Sequence, residues 1–401
     1  STSLPRWVPL AAVLALVIAG AVAWVSRDTD TEAWRRQGAP ITVHAWAPYW
    51  QTDSAMASFS PNTAVFGDLS LFAYHTTGVD AISAYPGLGD GVLEAYRAAA
   101  AQAGVSLTAS IIDDTGSGTM ASILADPATR PRHVAAILAF AQANDFDGID
   151  IDYEVFAFGD ARSTWSTTSP NWVAFIIELA AALHGVGKTL IVSVPPQYDP
   201  DRTGGDRGYW VYDYPAMGEV VDYIRIMAYD YSTSNPGPIA PVGWVEGLVA
   251  DAAAMVPPEK LILGVPVYGY NWPISTLGVC PPDESPRRQN QSTKSAAVLA
   301  AERGVVPTFD ATVGEATFDY NDHITGVDAT GAAAVCTVAR RVWFSTAASV
   351  FERARIASRA QLAGISIWSL GSDDAAVWDA IAAVRAGSEE WPPVATGTDE
   401  T

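Results

Sequence analysis

The most informative stretch of the chain is Phe146-Asp147-Gly148-Ile149-Asp150-Ile151-Asp152-Tyr153-Glu154. Side chains of a β-strand alternate between two faces, so Asp150, Asp152 and Glu154 share one face of this segment. Their carboxyl groups are spaced about 6–7 Å apart along the strand. The alternating isoleucine and tyrosine side chains form an apolar opposite face, which is typical of a barrel strand that packs against helices. The segment therefore predicts three acidic side chains that point into the interior of a barrel.

Three carboxyl groups in a barrel interior predict catalytic chemistry. Like charges in a poorly solvated site cannot all be ionised, so we expect at least one proton to be held among them. A retained proton raises a carboxyl pKa, which is what a general acid near neutral pH requires. One alternative is a strand whose acidic face is exposed to solvent. It fits poorly, because the apolar face would then be the only buried face of a barrel strand. A calcium site of the helix–loop–helix type would need a loop with a central glycine, which this strand lacks.

The flanking sequence predicts an α/β protein with the (β/α)8 barrel architecture over residues 41–386. Helical patterns separate many of eight candidate strands, most of which are short continuous apolar runs. A doubly wound open sheet is the alternative, but no glycine-rich phosphate turn follows the first strand. The eight candidate strands are residues 41–47, 68–74, 105–112, 148–154, 189–194, 221–229, 261–267 and 364–370.

The spacing of the strands breaks once, between the seventh and the eighth. Residues 271–344 predict a small α+β subdomain inserted at the catalytic face of the barrel, where it can form one wall of a groove. The two cysteines of the chain, Cys280 and Cys336, both fall in this insertion. A disulfide between them fits an exported protein, and two free buried thiols are the alternative.

The N-terminal region predicts a location outside the cytoplasm. Residues 7–26 carry no charge and are long enough to span the hydrocarbon core of a bilayer as a helix. We expect residues 1–26 to be a transmembrane signal anchor, or a signal peptide that is cleaved. Residues 27–40 are predicted as a linker, and residues 387–401 as a disordered tail. The protein is thus expected to be extracytoplasmic and anchored in the membrane, or secreted if that helix is removed.

Composition excludes several classes of function. The chain has 401 residues, with 44 acidic and 23 basic side chains and a formal net charge of −21, so nucleic acid is not an expected partner. The 14 tryptophans, 15 tyrosines and 12 phenylalanines exclude disorder over most of the length. The five histidines are scattered, so we expect no metal and no cofactor. We expect a monomer.

The single acidic strand favours one kind of glycosidase. Ordinary glycosidases place two carboxyl groups on opposite sides of the scissile bond, whereas the candidates here project from one strand. This placement suits cleavage in which the 2-acetamido oxygen of the substrate is the nucleophile. Glu154 would then protonate the leaving oxygen, Asp152 would orient the acetamido group, and Asp150 would hold or share the proton with Asp152.

The same segment resembles the signature of glycoside hydrolase family 18. That signature, D-x-x-D-x-D-x-E, is complete here as Asp147, Asp150, Asp152 and Glu154, with Asp147 expected to support the motif. The resemblance implies a (β/α)8 barrel that hydrolyses β-1,4 bonds at N-acetylglucosamine with retention of configuration. It also implies a polysaccharide containing N-acetylglucosamine, peptidoglycan or chitin-like, as the binding partner.

Further segments match the resemblance. The stretch at residues 226–230 looks like the sixth strand of the family, in which Tyr229 bonds the acetamido group and Met227 and Asp230 line the same subsite. Trp368 matches the tryptophan that forms the floor under the reacting sugar. Three more aromatic side chains fit sugar contact and plain packing equally well: Tyr49, Trp50 and Trp272.

Other stretches indicate a subgroup and a substrate. Residues 237–241, 263–272 and 342–344 look like bacterial spore-germination and cortex-lytic members, which act as N-acetylglucosaminidases on peptidoglycan. Residues 110–114 lack the Ser-x-Gly-Gly motif that is usual in chitinases, so peptidoglycan is favoured over chitin. A chitinase or another endo-N-acetylglucosaminidase is the alternative of the same class. An inactive carbohydrate-binding protein is the alternative of another class, although such proteins typically lose the acid present here as Glu154.

Overall fold

A computed structural model describes residues 40–198, 208–284 and 286–391 of the chain. The strands in these residues belong to two sheets. In chain order they are β1 (Thr42–Pro48), β2 (Phe66–Thr76), β3 (Ile82–Ala84), β4 (Ser106–Asp113), β5 (Gly148–Asp152), β6 (Thr189–Val194), β7 (Tyr223–Ile226), β8 (Leu261–Pro266), β9 (Tyr268–Gly278), β10 (Gln289–Ser292), β11 (Thr308–Asp310), β12 (Glu315–Val327), β13 (Ala333–Phe344) and β14 (Gly364–Trp368).

Eight parallel strands close into a barrel. Their order around the barrel is β1, β14, β8, β7, β6, β5, β4 and β2, and β2 pairs with β1 to complete the circle. The short strand β3 adds to β2 in antiparallel fashion at one end. All eight candidate strands of the sequence overlap a barrel strand, so the predicted (β/α)8 architecture is confirmed.

Helices surround the barrel and cover its apolar outer face. The outward residues Ile149 and Ile151 of β5, and Tyr153 directly after it, are fully buried, as the alternation predicts. The Tyr153 ring stacks on Phe175, and its hydroxyl bonds Nε2 of His133 at 2.8 Å. The α-helices in the described residues are α1 (Thr52–Phe59), α2 (Val92–Ala103), α3 (Thr119–Ala125), α4 (Arg130–Ala143), α5 (Val155–Phe158), α6 (Trp165–His184), α7 (Tyr214–Gly218), α8 (Val242–Met255), α9 (Thr293–Glu302), α10 (Ala347–Arg359) and α11 (Ala375–Arg385).

Between β8 and β14 the chain forms a second, antiparallel sheet of five strands. Their order is β10, β9, β13, β12 and β11, and α9 packs on one face through Ala296 and Ala300 against Val342 and Phe344. A disulfide joins Cys280 and Cys336 within this insertion. The opposite face of β9 is turned toward the mouth of the barrel, as the contacts of its tyrosines show below.

Both predicted terminal segments extend beyond the described part of the chain. The apolar run at residues 7–26 and the linker up to residue 39 lie outside the described residues. Within the described ranges, no helix is long and apolar enough to cross a membrane. The predicted tail is described as far as Trp391, whose ring packs on Phe351 of α10, and residues 392–401 lie outside the described residues.

Candidate active site

Asp150 lies at the centre of the barrel and accepts hydrogen bonds from four different strands. Its Oδ2 atom accepts from Nε1 of Trp46 at 3.0 Å, from the Ser110 hydroxyl at 2.6 Å and from Nη1 of Arg225 at 3.1 Å. Its Oδ1 atom accepts from the Ser193 hydroxyl at 2.6 Å. The side chain is fully buried, so these contacts replace its hydration shell.

The donors around Asp150 include two nitrogen groups. The Trp46 and Arg225 nitrogens can only donate, and an ionised carboxylate only accepts. Charge-assisted hydrogen bonds of this kind stabilise the anion strongly. These four donors fix the Asp150 carboxyl group in the barrel interior, next to the Asp152 side chain.

The carboxyl groups of Asp152 and Glu154 act as a pair. Their carboxyl groups hydrogen-bond each other at the C-terminal mouth of the barrel. Burial raises the pKa of Asp152 well above its ordinary value, and the charges of Glu154 and Asp150 raise it further. Burial also raises the pKa of Glu154, to about 7. Near neutral pH the two carboxyl groups thus share one proton, as the sequence predicts for the acidic face.

One oxygen of this pair lacks a hydrogen-bond donor. Oδ1 of Asp152 is buried and accepts no hydrogen bond from the described residues. A buried acceptor without a donor costs free energy until a donor arrives. An amide N–H of a bound substrate would satisfy this oxygen.

The local backbone explains why Glu154 stands at the mouth. β5 ends at Asp152, and Glu154 immediately precedes α5, so the chain turns at this point. The Tyr212 hydroxyl donates to the Tyr153 carbonyl oxygen at 2.6 Å and holds the turn. The acid is therefore fixed by a bond to the backbone beside it.

Asp147 acts at the opposite end of β5. Its Oδ2 atom accepts from the Leu107 backbone N–H at 2.8 Å and ties β5 to β4. The next residue, Gly148, lies so close to β6 that an added Cβ would stand 2.0 Å from the Thr189 hydroxyl oxygen. The start of the motif thus sets the position of the strand, in agreement with the supporting role predicted for Asp147.

The segment after β7 brings three of the predicted residues to the same mouth. Met227 is buried, and burial raises the pKa of the Tyr229 phenol, which the nearby carboxyl groups of Asp152 and Glu154 raise further. Tyr229 is therefore a neutral hydrogen-bond donor at every physiological pH. Asp230 has a φ of 59° and its Oδ1 atom accepts from the hydroxyls of Tyr268 and Tyr270, the latter at 2.7 Å.

Trp368 forms the centre of an aromatic floor. It ends β14, and its ring lies nearly parallel to Tyr229 at 18° with 6.5 Å between the ring centres. The rings of Trp46, Phe72 and Trp50 meet it edge-on at 5.5, 4.8 and 6.2 Å. These edge contacts fix the plane of the indole, as a sugar platform requires.

The other aromatic candidates divide into two groups. Tyr49 and Trp50 stand at the mouth, where Tyr49 stacks on Tyr85 at 4.7 Å and Trp50 is 54% exposed beside Trp368. Trp272 is buried, and its indole N–H donates to the Thr233 carbonyl oxygen at 3.1 Å. Its ring therefore packs the insertion against the loop after β7, and the packing alternative holds for it.

A buried ion pair anchors the loop that carries Asp230. Glu315 accepts from the backbone N–H groups of Ile239 and Ala240, each at 2.7 Å. Nη2 of Arg353, on α10, donates to the same carboxylate at 3.0 Å. The pair joins the loop after β7, the insertion and an outer helix into one rigid unit. Within the described residues, no group of histidine, cysteine and acidic side chains is arranged to hold a metal ion.

Comparison with known protein families identifies the family of this chain. The model of the family described as "Glycosyl hydrolases family 18" matches residues 44–373. The chain belongs to this family. Family 18 membership makes the protein a glycoside hydrolase, and the predicted resemblance is confirmed.

Two relatives of the chain come from Bacillus subtilis. The chain is 26% identical over 272 residues to the "Uncharacterized glycosylase YvbX" of Bacillus subtilis, covering 66% of this chain and 69% of that protein. It is 26% identical over 252 residues to the "Cortical fragment-lytic enzyme" of the same organism, covering 62% of this chain and 52% of that protein. The chain thus spans about half the length of the cortex-lytic relative. These matches support the predicted similarity to the cortex-lytic subgroup.

A solved family 18 structure shares the fold. The chitinase from Chromobacterium violaceum superimposes with a TM-score of 0.67 at 26% identity, covering 85% of this chain and 98% of that one. Proteins similar to this chain therefore include both a cortical fragment-lytic enzyme and a chitinase.

Several residues of this family 18 site were not found from sequence. Ser110, Ser193 and Arg225 surround Asp150, and Tyr268 and Tyr270 bond Asp230. One signal was available: Arg225 is a charged residue within an otherwise apolar strand, which indicates an interior ion pair. The serines carry no such signal, because their role depends on which strands become neighbours.

Proposed function

We propose that the protein hydrolyses β-1,4 glycosidic bonds next to N-acetylglucosamine with retention of configuration, with peptidoglycan as its substrate. The observation that carries the proposal is the Asp152–Glu154 pair, whose carboxyl groups hydrogen-bond each other and have pKa values raised by burial. This arrangement supplies an acid and an adjacent acceptor at the end of one strand, and so favours a nucleophile that belongs to the substrate.

The first step breaks the glycosidic bond. Glu154 donates its proton to the leaving oxygen while the 2-acetamido oxygen attacks the anomeric carbon and forms an oxazolinium ring. Oδ1 of Asp152 accepts the acetamido N–H, and the negative charge of this carboxylate stabilises the developing cation. The neutral Tyr229 phenol donates to the acetamido oxygen and holds it in line.

The second step restores the enzyme. Water attacks the anomeric carbon from the side of the departed sugar and gives its proton to the Glu154 carboxylate. The carbon–oxygen bond of the oxazolinium ring breaks, the acetamido group is released, and two inversions give net retention. Trp368 stacks beneath the sugar ring throughout, with Tyr49 and Trp50 at the edge of the same floor.

Two observations favour peptidoglycan as the polymer. The chain is similar to relatives named "Cortical fragment-lytic enzyme", and the end of β4 reads Ser-Ile-Ile-Asp-Asp at residues 110–114 in place of the Ser-x-Gly-Gly motif that is usual in chitinases. Chitin is the second candidate, because the chain shares its fold and 26% of its residues with a chitinase.

Product analysis tests the proposal. Residues 40–401 are incubated with purified peptidoglycan and separately with chitin oligomers, beside Glu154→Gln and Glu178→Gln. Glu178 makes an ion pair with Arg130 on the outer helices. Glu178→Gln therefore controls for the replacement of a glutamate by a glutamine away from the catalytic mouth. We expect muropeptides with a new reducing-end N-acetylglucosamine from the wild type and from Glu178→Gln, and none from Glu154→Gln.

Each other outcome overturns part of the proposal. Products from chitin oligomers alone would make the protein a chitinase. Binding of either polymer without products would make it a carbohydrate-binding protein on this fold. Equal turnover by wild type and Glu154→Gln would remove Glu154 from the mechanism.

We also propose that the protein acts outside the cytoplasm, held at the membrane by residues 7–26 or secreted after their removal. The uncharged run at these residues and the disulfide of the insertion support this location. A phosphatase reporter that is active only after export, fused after residue 391, should be active. A second fusion at the same position carries a reporter that is active only in the cytoplasm. Activity of this second reporter alone would contradict the proposed location.

A further inference from the structure

Phe158 lies one helical turn beyond the catalytic acid and is exposed to solvent. The helix α5 begins directly after Glu154, and the Phe158 backbone N–H donates to the Glu154 carbonyl oxygen at 3.1 Å. Phe156, on the same short helix, is fully buried and meets the Trp172 ring edge-on at 5.5 Å. Phe158, two residues further along the helix, points the other way and is 61% exposed. The loop after β5 therefore presents an aromatic ring to solvent beside the catalytic mouth.

Tyr209 stands next to this ring. The ring centres of Phe158 and Tyr209 are 5.3 Å apart in an edge-on contact, and the Trp165 ring centre lies 6.0 Å from that of Tyr209. Burial raises the pKa of the Tyr209 phenol, and the nearby side chains of Tyr198 and Glu154 raise it further. Phe158 and Tyr209 thus stand together on the side of the mouth that carries Glu154.

Hydrogen bonds hold the loop that carries Phe158 in place. The Trp165 indole N–H, at the start of α6, donates to the Phe156 carbonyl oxygen at 2.6 Å. Oδ1 of Asp160, in the same loop, accepts from the Ser117 hydroxyl at 2.9 Å and from the Gly118 backbone N–H at 2.7 Å. These bonds join the loop after β5 to α6 and to the loop after β4. A surface that is fixed before a ligand arrives loses less entropy on binding.

The order of the barrel strands places these rings on the leaving side of the scissile bond. Trp368 ends β14, and β5 lies four strands from β14 in either direction around the closed barrel. A sugar that stacks on Trp368 therefore meets Glu154 from the opposite wall. In the proposed mechanism Glu154 protonates the oxygen that joins this sugar to the next one, so the next sugar lies on the β5 side. Tyr49 and Trp50 follow β1, the neighbour of β14, and lie on the other side.

We propose that Phe158 and Tyr209 form a binding site for the leaving-side sugar of a polysaccharide that contains N-acetylglucosamine. The site rests on the function proposed above and extends it beyond the scissile bond. The C–H groups on one face of a pyranose ring cover the Phe158 ring and remove apolar surface from water. Tyr209 adds a second ring and a hydroxyl group that can bond the hydroxyls of the sugar. The protein then binds its substrate on both sides of the bond that it breaks.

Affinity for an oligosaccharide tests the site without requiring turnover. The full chain with Glu154→Gln is titrated calorimetrically with the N-acetylglucosamine hexamer, alone and combined with Phe158→Ala, Phe158→Tyr or Phe309→Ala. Phe309, on β11 at the far edge of the inserted sheet, is 40% exposed and serves as the matched control. Covering an exposed phenylalanine ring corresponds to about a tenfold gain in affinity, so we expect Phe158→Ala to raise Kd about tenfold. Phe158→Tyr keeps the ring, so we expect a change in Kd below about twofold, as for Phe309→Ala.

The second ring is tested in the same way. Tyr209→Leu removes the phenol, so we expect Kd for the hexamer to rise about three- to tenfold. Equal Kd values with and without Phe158→Ala, or equal losses in Phe158→Ala and Phe309→Ala, would overturn the proposal.

Partitioning of an activated substrate tests which side of the bond the site serves. The oxazoline of the N-acetylglucosamine disaccharide carries no leaving sugar, so water converts it to the disaccharide and an added N-acetylglucosamine trimer converts it to a pentasaccharide. In both reactions a hydroxyl oxygen adds to the anomeric carbon, the ring carbon–oxygen bond of the oxazoline breaks, and the proton of that hydroxyl ends on the acetamido nitrogen. The trimer has to bind on the leaving side, so we expect Phe158→Ala to lower the ratio of pentasaccharide to disaccharide about tenfold. Phe309→Ala should leave this ratio unchanged.

The product ratio separates sugar binding from support of the fold. It does not depend on the amount of folded enzyme, so a loss of stability cannot lower it. An unchanged ratio in Phe158→Ala would overturn the proposal. If the wild type converts neither the oxazoline nor any polymer, the proposed function fails, and the affinity for the hexamer still decides whether Phe158 and Tyr209 bind a saccharide.

Discussion

The Tyr270 hydroxyl donates to Oδ1 of Asp230 at 2.7 Å, and the neighbouring Tyr268 hydroxyl donates to the same oxygen. Tyr270 belongs to the inserted sheet, whereas Asp230 follows barrel strand β7. The insertion therefore completes the catalytic mouth, because it supplies the donors that orient a carboxylate next to Tyr229 and near Glu154.

Removal of one of these donors should reduce activity. A hydrogen bond to a charged group is worth about 1.5–3 kcal/mol, and Tyr268 remains in Tyr270→Phe, so we expect kcat/KM to fall about tenfold. Tyr320→Phe is the matched control, since Tyr320 lies in the same insertion and its hydroxyl accepts from Asn271. Steady-state rates on a fluorogenic N-acetylglucosamine disaccharide measure both. Equal rates in Tyr270→Phe and wild type would show that Asp230 needs no orientation by the insertion.

Activity should decline as the pH rises through about 7. Burial raises the pKa of Glu154 to about 7, and the pair that it forms with Asp152 must keep one proton for the leaving oxygen. Above this pH the proton is lost and the general acid is absent. The measurement is kcat/KM from about pH 5 to 9 at constant ionic strength. A rate that stays level to pH 9 would be incompatible with a proton shared by Asp152 and Glu154.

The stability of the folded protein should also change with pH as Glu154 loses its proton. The folded protein binds the Glu154 proton more tightly than the unfolded chain, because the folded pKa lies above the ordinary value of 4.5. The stabilisation by this proton is therefore complete below about pH 4.5 and is lost as the pH rises through about 7. Glu154→Gln carries no such charge, so its Tm relative to wild type should be higher at pH 9 than at pH 5. Thermal melts at the two pH values measure this, and an identical Tm difference at both would contradict it.

Loss of the buried Glu315–Arg353 ion pair should lower the free energy of unfolding more than loss of an exposed ion pair. Both side chains are fully buried, so Glu315→Gln leaves an uncompensated guanidinium and should cost about 3–5 kcal/mol of unfolding free energy. Asp319→Asn is the control, since Asp319 pairs with Arg341 on the exposed face and should cost less than about 1 kcal/mol. Denaturant unfolding compares the two variants. Equal losses would show that burial of the Glu315 pair has no special effect.

The barrel and the catalytic motif could be predicted because they depend on local patterns. Buried parallel strands appear as short apolar runs, and a period of two places Asp150, Asp152 and Glu154 on one face. The hydrogen-bond partners of Asp150 could not be predicted in this way. Its donors lie on β1, β4, β6 and β7, and only the register of the closed barrel brings these strands together.

The same reasoning explains the ambiguity of the aromatic side chains. A tryptophan carries one N–H and a large apolar surface, so its sequence position does not tell whether it meets sugar or protein. Trp368 ends barrel strand β14, and Trp272 lies in β9, which comes directly after barrel strand β8. Trp368 faces the mouth, whereas Trp272 donates its N–H to a loop carbonyl. The difference arises from the loop after β7, whose course depends on the buried Glu315 in the distant insertion.

The stereochemistry of the first product tests the central claim most directly. Proton NMR of a fresh digest of an N-acetylglucosamine oligosaccharide shows which anomer is released before mutarotation. An acetamido nucleophile held by Asp152 and a proton from Glu154 predict the β-anomer first, with Asp152→Asn at least about 100-fold slower. Release of the α-anomer first, or an unchanged rate in Asp152→Asn, would contradict substrate-assisted hydrolysis by this pair of carboxyl groups.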